Sequence, residues 1–383
     1  MIDVYFDHAA TSHPKPQPVL DAVVRALTED NGNPGRSGHR RALAGARTMI
    51  DCREALAAAI GPIEPFDIAF AANCTGALNL GIKGILRRGD HVITSLIEHN
   101  SVLRVLEGLR LRGEIDLTLI NPNADGCVDP QKFRTAARHN TKLIVLTHAS
   151  NVTGIIQPVN EVGLVARELG VPFLVDGAQA MGMLPINVVR DGIPMYAFPG
   201  HKGLLGPQGT GGLYISPDIK LRTLIEGGTG SSSESMRQPS ERPERFESGT
   251  MNLPGIAGLA VGAAIAVANM AQIRAREDAL CMQLMEGLRC IEGVTLYHDA
   301  GAERIAVVSF NVHDHTSGRI ADALSCAGYC VRGGLHCAPG MHRVLGTLER
   351  GAVRASLGYA NTQAEVDAFL RTVAAIAKGS LTT

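Results

Sequence analysis

Residues 172–180 read PFLVDGAQA: four apolar residues in a row, then Asp176, then small and polar residues. An unbroken apolar run closed by a carboxylate fits a strand covered on both faces, whose polar end lies at the carboxyl edge of a parallel sheet. LIVLT at 143–147 has the same character. Working outward, further short β-rich runs fall at 68–72, 91–95, 116–120, 195–198 and 212–216, several separated by helical patterns such as 159–169. Seven such strands alternating with helices predict an α/β fold around a mainly parallel sheet. From Pro254 the pattern changes to a long Ala-rich helix, a strand at 304–312, a helix from Ser317, strands near 329–332 and 353–357, and a last helix from Gln363. This predicts a smaller α+β unit. The expected division is a large domain of residues 16–256 and a small domain made of 1–15 with 257–383.

Composition narrows the function classes. With 383 residues and 45% hydrophobic content the chain can bury a sizeable core, and 19% charged residues exclude a solvated, disordered chain. Lys and Arg total 36 against 37 Asp and Glu, so there is no bulk electrostatic case for nucleic acid or an anionic membrane. The apolar stretch GIAGLAVGAAIAV, 255–267, is shorter than a membrane span and reads as a buried helix. The N-terminus lacks a basic and then apolar leader, and the eight cysteines are scattered through a long chain. Both features lead to the expectation of a cytoplasmic protein with reduced thiols. The 43 glycines show no period, which suggests many tight turns and close backbone approaches.

Ligands of open parallel sheets sit beyond the carboxyl ends of the strands, so the residues just after the strands carry the search. Asp176 closes one strand, and 26 positions later FPGHKGLLGPQGTGG places His201 and Lys202 after another. A lysine in an enclosed pocket is deprotonated readily and serves Schiff-base chemistry, although residue types alone favour an Asp–Lys ion pair at a domain edge. After the first strand, Thr75 falls at or near a helix N-cap, where a hydroxyl and free N–H groups suit a phosphate. HVITS is followed by Glu98, His99 and Asn100, which places an imidazole at the same edge to stack on a planar ligand. A phosphate nest, a stacking His, a carboxylate and a reactive lysine are together what pyridoxal 5'-phosphate requires.

The chain resembles the class V aminotransferase family, and within it the cysteine desulfurases, closest to the SufS-like group II branch. The resemblance runs from YFDHAATSHPKP (5–16) through NPGRSGH (33–39), FAANCTGALNL (70–80), DHVITSLIEHNSV (90–102), SNVTG (150–154), PGHKGLLGPQGTGGLY (199–214) and RFESGTMNLPGIAGL (245–259) to RGGLHCAPGMH (332–342) and VRASLGYANTQAEVD (353–367). It implies fold type I, a homodimer with shared active sites, and L-cysteine as substrate. Carried over by position, it makes Lys202 the Schiff-base lysine, Asp176 the partner of the pyridine nitrogen and Gln179 the group facing the ring hydroxyl. His99 becomes the stacking and proton-moving histidine, Thr75 and His201 phosphate ligands, and Thr250 a phosphate contact given to the other subunit. Asn151 and Arg354 match residues holding the substrate carboxylate, for which a planar guanidinium is apt.

Cys337 selects the branch. Desulfuration needs a thiol nucleophile, and Cys337 lies in a glycine-rich segment with His336 beside it and His342 close by. A cationic histidine there would favour the thiolate. A metal reading of Cys326, Cys330, His336, Cys337 and His342 lacks a Cys-x-x-Cys pair, so no metal is expected. A short loop at Cys337 implies a separate sulfur-acceptor protein. One departure from the family pattern is Pro199, which stands three positions before the lysine where Ser or Thr is usual and has no N–H to donate. Rival readings are a selenocysteine lyase, another amino-acid C–S lyase, a class V aminotransferase, or a non-enzymatic sulfur carrier or scaffold of the same fold.

Overall fold

A computed structural model describes residues 3–30, 32–34, 38–231, 234–297 and 301–379. Gly35, Arg36 and Ser37 of the NPGRSGH motif, like the two ends of the small domain as drawn from sequence, lie outside the described residues. In chain order the first elements are β1 (Val4–Tyr5), α1 (Gln17–Thr28), α2 (Arg40–Ile60), β2 (Ile68–Ala71), α3 (Cys74–Ile85), β3 (Asp90–Ser95), α4 (Asn100–Leu111) and β4 (Ile115–Ile120). They are followed by α5 (Pro130–Ala136), β5 (Thr141–Thr147), α6 (Val159–Glu168), β6 (Phe173–Asp176), β7 (Met195–Pro199) and β8 (Gly211–Ile215). The remainder comprises α7 (Leu253–Arg289), β9 (Val294–Leu296), β10 (Val307–Val312), α8 (Ser317–Cys326), β11 (Tyr329–Cys330), β12 (Arg332–Gly334), α9 (Pro339–Val344), β13 (Ala352–Ser356) and α10 (Gln363–Ala377).

All seven strands expected of the large sheet are present, in the order β2-β8-β7-β6-β5-β3-β4. β8 alone runs against its neighbours; β6, for example, pairs in parallel with both β5 and β7. The apolar runs that identified β5 and β6 are buried throughout their central positions, because helices cover both faces of a parallel sheet. Six strands therefore end at one edge. There Thr147 pairs with Asp176 and Asp176 with Ala197, which fixes the depth of the carboxylate relative to the neighbouring strand ends.

The second unit is an antiparallel sheet, β12-β13-β10-β9, with the two-stranded parallel pair β1–β11 beside it. Two expected strands are corrected here. The strand drawn at 304–312 begins only at Val307, Arg304 making an isolated bridge to Ile155. The strand near 329–332 is two strands in different sheets, β11 and β12. Helix α7 joins the two cores: Leu253, Ile256, Leu259 and Ala263 belong to the core of the large sheet, and Leu280, Leu284 and Leu288 to the other. By length and composition α7 is apolar enough to cross a membrane. Its Gly262 nevertheless lies against the 204–206 backbone, where a Cβ would come within 2.5 Å of Leu204 O, so this face is made for close helix-to-loop packing.

Candidate active site

One pocket gathers nine of the ten residues singled out from sequence: Thr75, His99, Asn151, Asp176, Gln179, His201, Lys202, Cys337 and Arg354 all line it. Thr75, His99 and Asn151 follow β2, β3 and β5, Asp176 and Gln179 stand at the end of β6, His201 and Lys202 follow β7, Cys337 lies on the β12–α9 connection and Arg354 on β13. Thr250 does not enter this pocket; it is exposed and lines a neighbouring one with Asn73 and Gly76.

At the anion end, Asn73 rather than Thr75 is the N-cap of α3, its side chain accepting the Gly76 N–H at 2.9 Å. Thr75 stands in the first turn, exposed. Thr75 is thus near the cap, as expected; the cap uses one N–H and leaves the other first-turn N–H groups and the Thr75 hydroxyl at the pocket. His201 Nδ1 is buried and without a partner, and burial followed by the charges of Lys202 and Lys15 pushes this ring down to about 4. The His201 carbonyl is held by Ser12 N–H at 3.0 Å and Lys15 Nζ at 2.9 Å. Through these bonds the N-terminal segment fixes the turn that carries Lys202. Pro199 ends β7 in the same pocket.

At the centre, burial lowers Lys202 below the usual lysine range; Arg354 and Arg332 push the same way, and Asp176 opposes. Asp176 is buried and accepts the Ala178 N–H at 3.0 Å. His99 caps α4: Ser101 N–H donates to its Nδ1 at 3.1 Å, and Ser101 Oγ lies 2.8 Å from the same nitrogen. This network assigns the neutral ring's proton to Nε2. Burial, with Lys202, Arg332 and Arg354, lowers His99 against the pull of Asp176, so the neutral ring suits stacking. Gln179 Nε2 donates to Ala9 O at 3.0 Å.

Cys337 occupies the four-residue connection 335–338 between β12 and α9. His336 and Cys337 are both left-handed, with φ of 49° and 57°, a conformation that non-glycine residues hold only when their surroundings enforce it. Enforcement is visible: Asn151 Nδ2 donates to His336 O at 2.6 Å and Asn100 N–H to Cys337 O at 2.7 Å. The expected cationic histidine is overturned. Burial, with Arg354 and His342, pushes His336 down to about 2, and burial pushes His342 down to about 4. Both rings are neutral near pH 7, so the fixed positive charges sharing the pocket with Cys337 are the guanidiniums of Arg332 and Arg354.

Arg354 is 2% exposed; it donates through Nη1 to Asn151 O at 3.0 Å and through Nη2 to Asp7 Oδ1 at 2.7 Å, while Nε has no partner. A buried guanidinium with donors to spare, fixed beside Asn151, is a ready carboxylate site. Sequence reading missed Asn73, Cys74, Ser101, Arg332 and Asp7. Asn73, Cys74 and Ser101 follow β2 and β3, so the carboxyl-edge rule could have found them; Arg332, five positions before Cys337, begins β12 of the other sheet, where that rule gives no signal. Asp7 lies 347 positions from its partner and carried no local signal.

Beneath the floor, Glu98 is fully buried; Ser95 Oγ–H and Thr147 N–H donate to Oε1, and Oε2 has no partner. Burial raises this carboxyl to about 8. A group whose pKa is raised on folding contributes stability that is present below its unfolded value and lost as pH rises through the folded one. In denaturant unfolding of the unloaded protein, the stability difference between Glu98→Gln and wild type should therefore grow in favour of the glutamine from about pH 4.5 to 8, reaching a few kcal/mol. A difference independent of pH would show that Glu98 ionises as freely as in the unfolded chain.

A mainly parallel seven-stranded sheet, with a pocket at its carboxyl edge lined by a buried lysine, a carboxylate and a helix N-terminus, has the fold of the fold type I pyridoxal-phosphate enzymes. Within that class the chain belongs to the aminotransferase class-V family, whose model matches residues 4–369. It is 36% identical to the probable cysteine desulfurase of Methanothermobacter thermautotrophicus, covering 98% of this chain and 94% of that protein. It is 32% identical to cysteine desulfurase IscS of Shewanella baltica, covering 96% and 90%. Among solved structures, the apo cysteine desulfurase of Thermococcus onnurineus NA1 superposes with a TM-score of 0.91 at 32% identity, covering 98% of this chain and 95% of that one. A NifS-like protein gives 0.87 at 27% identity, covering 99% and 100%.

Proposed function

We propose that this chain is a pyridoxal-phosphate-dependent cysteine desulfurase that converts L-cysteine to L-alanine and holds the sulfur as a persulfide on Cys337. The observation that carries the reading is the position of the Cys337 thiol in the same pocket as Lys202, Asp176 and the buried Arg354. The residues fit the cofactor. The free α3 N-terminus, the Thr75 hydroxyl and the unpartnered His201 Nδ1 would hold its phosphate, Asp176 its ring nitrogen, Gln179 its ring hydroxyl and His99 its ring face. When bound, the cofactor supplies an electron-withdrawing ring conjugated to the substrate's amino nitrogen.

Arg354 and Asn151 bind the substrate carboxylate, which turns the cysteine side chain toward Cys337. Lys202, whose proton affinity burial lowers, takes the Cα proton. His99 Nε2 is placed to donate or accept a proton on the pocket side of the ring. Cys337 Sγ attacks the substrate sulfur: an S–S bond forms, the Cβ–S bond breaks, and its electron pair stays with carbon, which gains a proton. Cysteine plus enzyme thiol thus become alanine plus enzyme persulfide, with no external oxidant or reductant.

Further parts of the reading are a homodimer in a cytoplasmic setting and a separate acceptor protein of the group II kind. The short 335–338 connection supports the group II assignment. Thr250, unused in its own pocket and bordered by the exposed Leu224 and Ile225, supports a second copy that would receive its hydroxyl. The deciding assay is L-cysteine turnover by cofactor-loaded protein with a thiol reductant, alanine and sulfide being measured together. Equal amounts are expected; pyruvate and ammonia in their place would make the enzyme another kind of lyase.

A further inference from the structure

We propose that a second thiol of the pocket, Cys74, is a positioning residue: it donates its S–H to Asp176 Oδ1 and so sets how strongly the other carboxylate oxygen, Oδ2, accepts from a bound pyridine ring. The inference rests on the cofactor reading above and deepens it.

Asp176 receives two donors, the Ala178 N–H at 3.0 Å and the Cys74 thiol at 3.5 Å, and both fall on Oδ1. Oδ2 receives none among the described residues, which leaves it as the oxygen available to a ligand. Cys74 is the first residue of α3, buried, and part of the pocket wall. Its placement is built into the packing of that helix. Cys74, Leu78 and Gly81 share one face of α3, and Leu174 and Asp176 share one face of β6. A Cβ at Gly81 would lie 2.9 Å from Leu174 Cδ2, so the helix lies directly on the strand and its first turn is brought down onto the carboxylate. Burial, and next the charge of Asp176, hold the Cys74 thiol well above the ordinary thiol range. It is therefore a neutral donor, in contrast to the nucleophilic role given to Cys337.

An S–H donor withdraws some of the carboxylate's electron density. Without it, Asp176 becomes the stronger acceptor, draws the ring-nitrogen proton closer and weakens the electron pull of the ring. The titrating group of the bound cofactor then keeps its proton to higher pH.

The test is a pH titration of the visible absorption of cofactor-loaded wild type, Cys74→Ala and Cys74→Val, with thermal melting to confirm folding. Alanine is smaller than cysteine and valine larger, but both lack the donor. Both variants should move the absorption midpoint upward, each by about half a pH unit. A role confined to packing would separate them, because a cavity and an overfilled site perturb the pocket in different ways. Midpoints unchanged in the variants, or shifted in opposite directions, would overturn the assignment while leaving the desulfurase reading intact. If wild-type protein takes up no cofactor and shows no visible band, the cofactor reading itself fails and this inference with it.

Discussion

Replacing Cys337 by alanine is expected to lower alanine and sulfide production from L-cysteine by at least about 10³-fold while leaving cofactor uptake and cysteine binding in place. The separation of effects comes from how the loop is held. Its two left-handed residues are fixed through backbone carbonyls, by Asn151 on His336 and Asn100 on Cys337, and neither bond involves the Cys337 side chain. Alanine at 337 occupies the same φ without added strain, so the substitution removes the nucleophile and little else. The check is steady-state product analysis beside the spectral change that cysteine causes in the loaded protein. Alanine formation at the wild-type rate would remove the thiol from the reaction.

Lys202→Ala should be as damaging for a different reason. The lysine shares the pocket with Asp176 and Arg354, and the fold lowers its proton affinity by burial and by two guanidiniums. On the proposed function its loss would remove both the covalent anchor for the cofactor and the base at the substrate Cα, and kcat should fall by about 10³-fold or more. Lys202→Arg should not restore activity, because a guanidinium is never deprotonated in a protein. In wild type the acid limb of the kcat profile, which reports the substrate complex in which this amine is free, should lie below the ordinary lysine range, the direction in which burial moves it. Single-turnover kinetics across pH would check it, and full activity in either variant would exclude Lys202 as the base.

The large sheet was legible because buried parallel strands have to be apolar throughout, a pattern that PFLVD and LIVLT carry without help from distant residues. The site was legible through the carboxyl-edge rule, which turned each strand end into a short list of candidates. What escaped depends on contacts far apart in sequence. β1 pairs with β11 across more than three hundred residues, and the buried Arg53 meets Glu247 at 2.6 Å across 194 positions, with no local pattern to announce either. Protonation escaped too. The sequence beside Cys337 suggests a histidine that could carry charge, yet the environment of His336, set by Arg354, His342 and burial, exists only once β13 and α9 are packed around it. The same limit applied to Cys74, whose sequence neighbours favour a helix start and say nothing of Asp176.

The four-residue connection that holds Cys337 also bears on delivery. A segment of that length spans at most about 14 Å when fully extended, and here it is folded and tied at two carbonyls. Sulfur bound to Cys337 therefore stays where it was formed, and whatever removes it has to come in. At low acceptor concentration, turnover should then be governed by encounter frequency and rise in direct proportion to acceptor, and the alanine-forming half of the cycle would stall as soon as each site had been charged once.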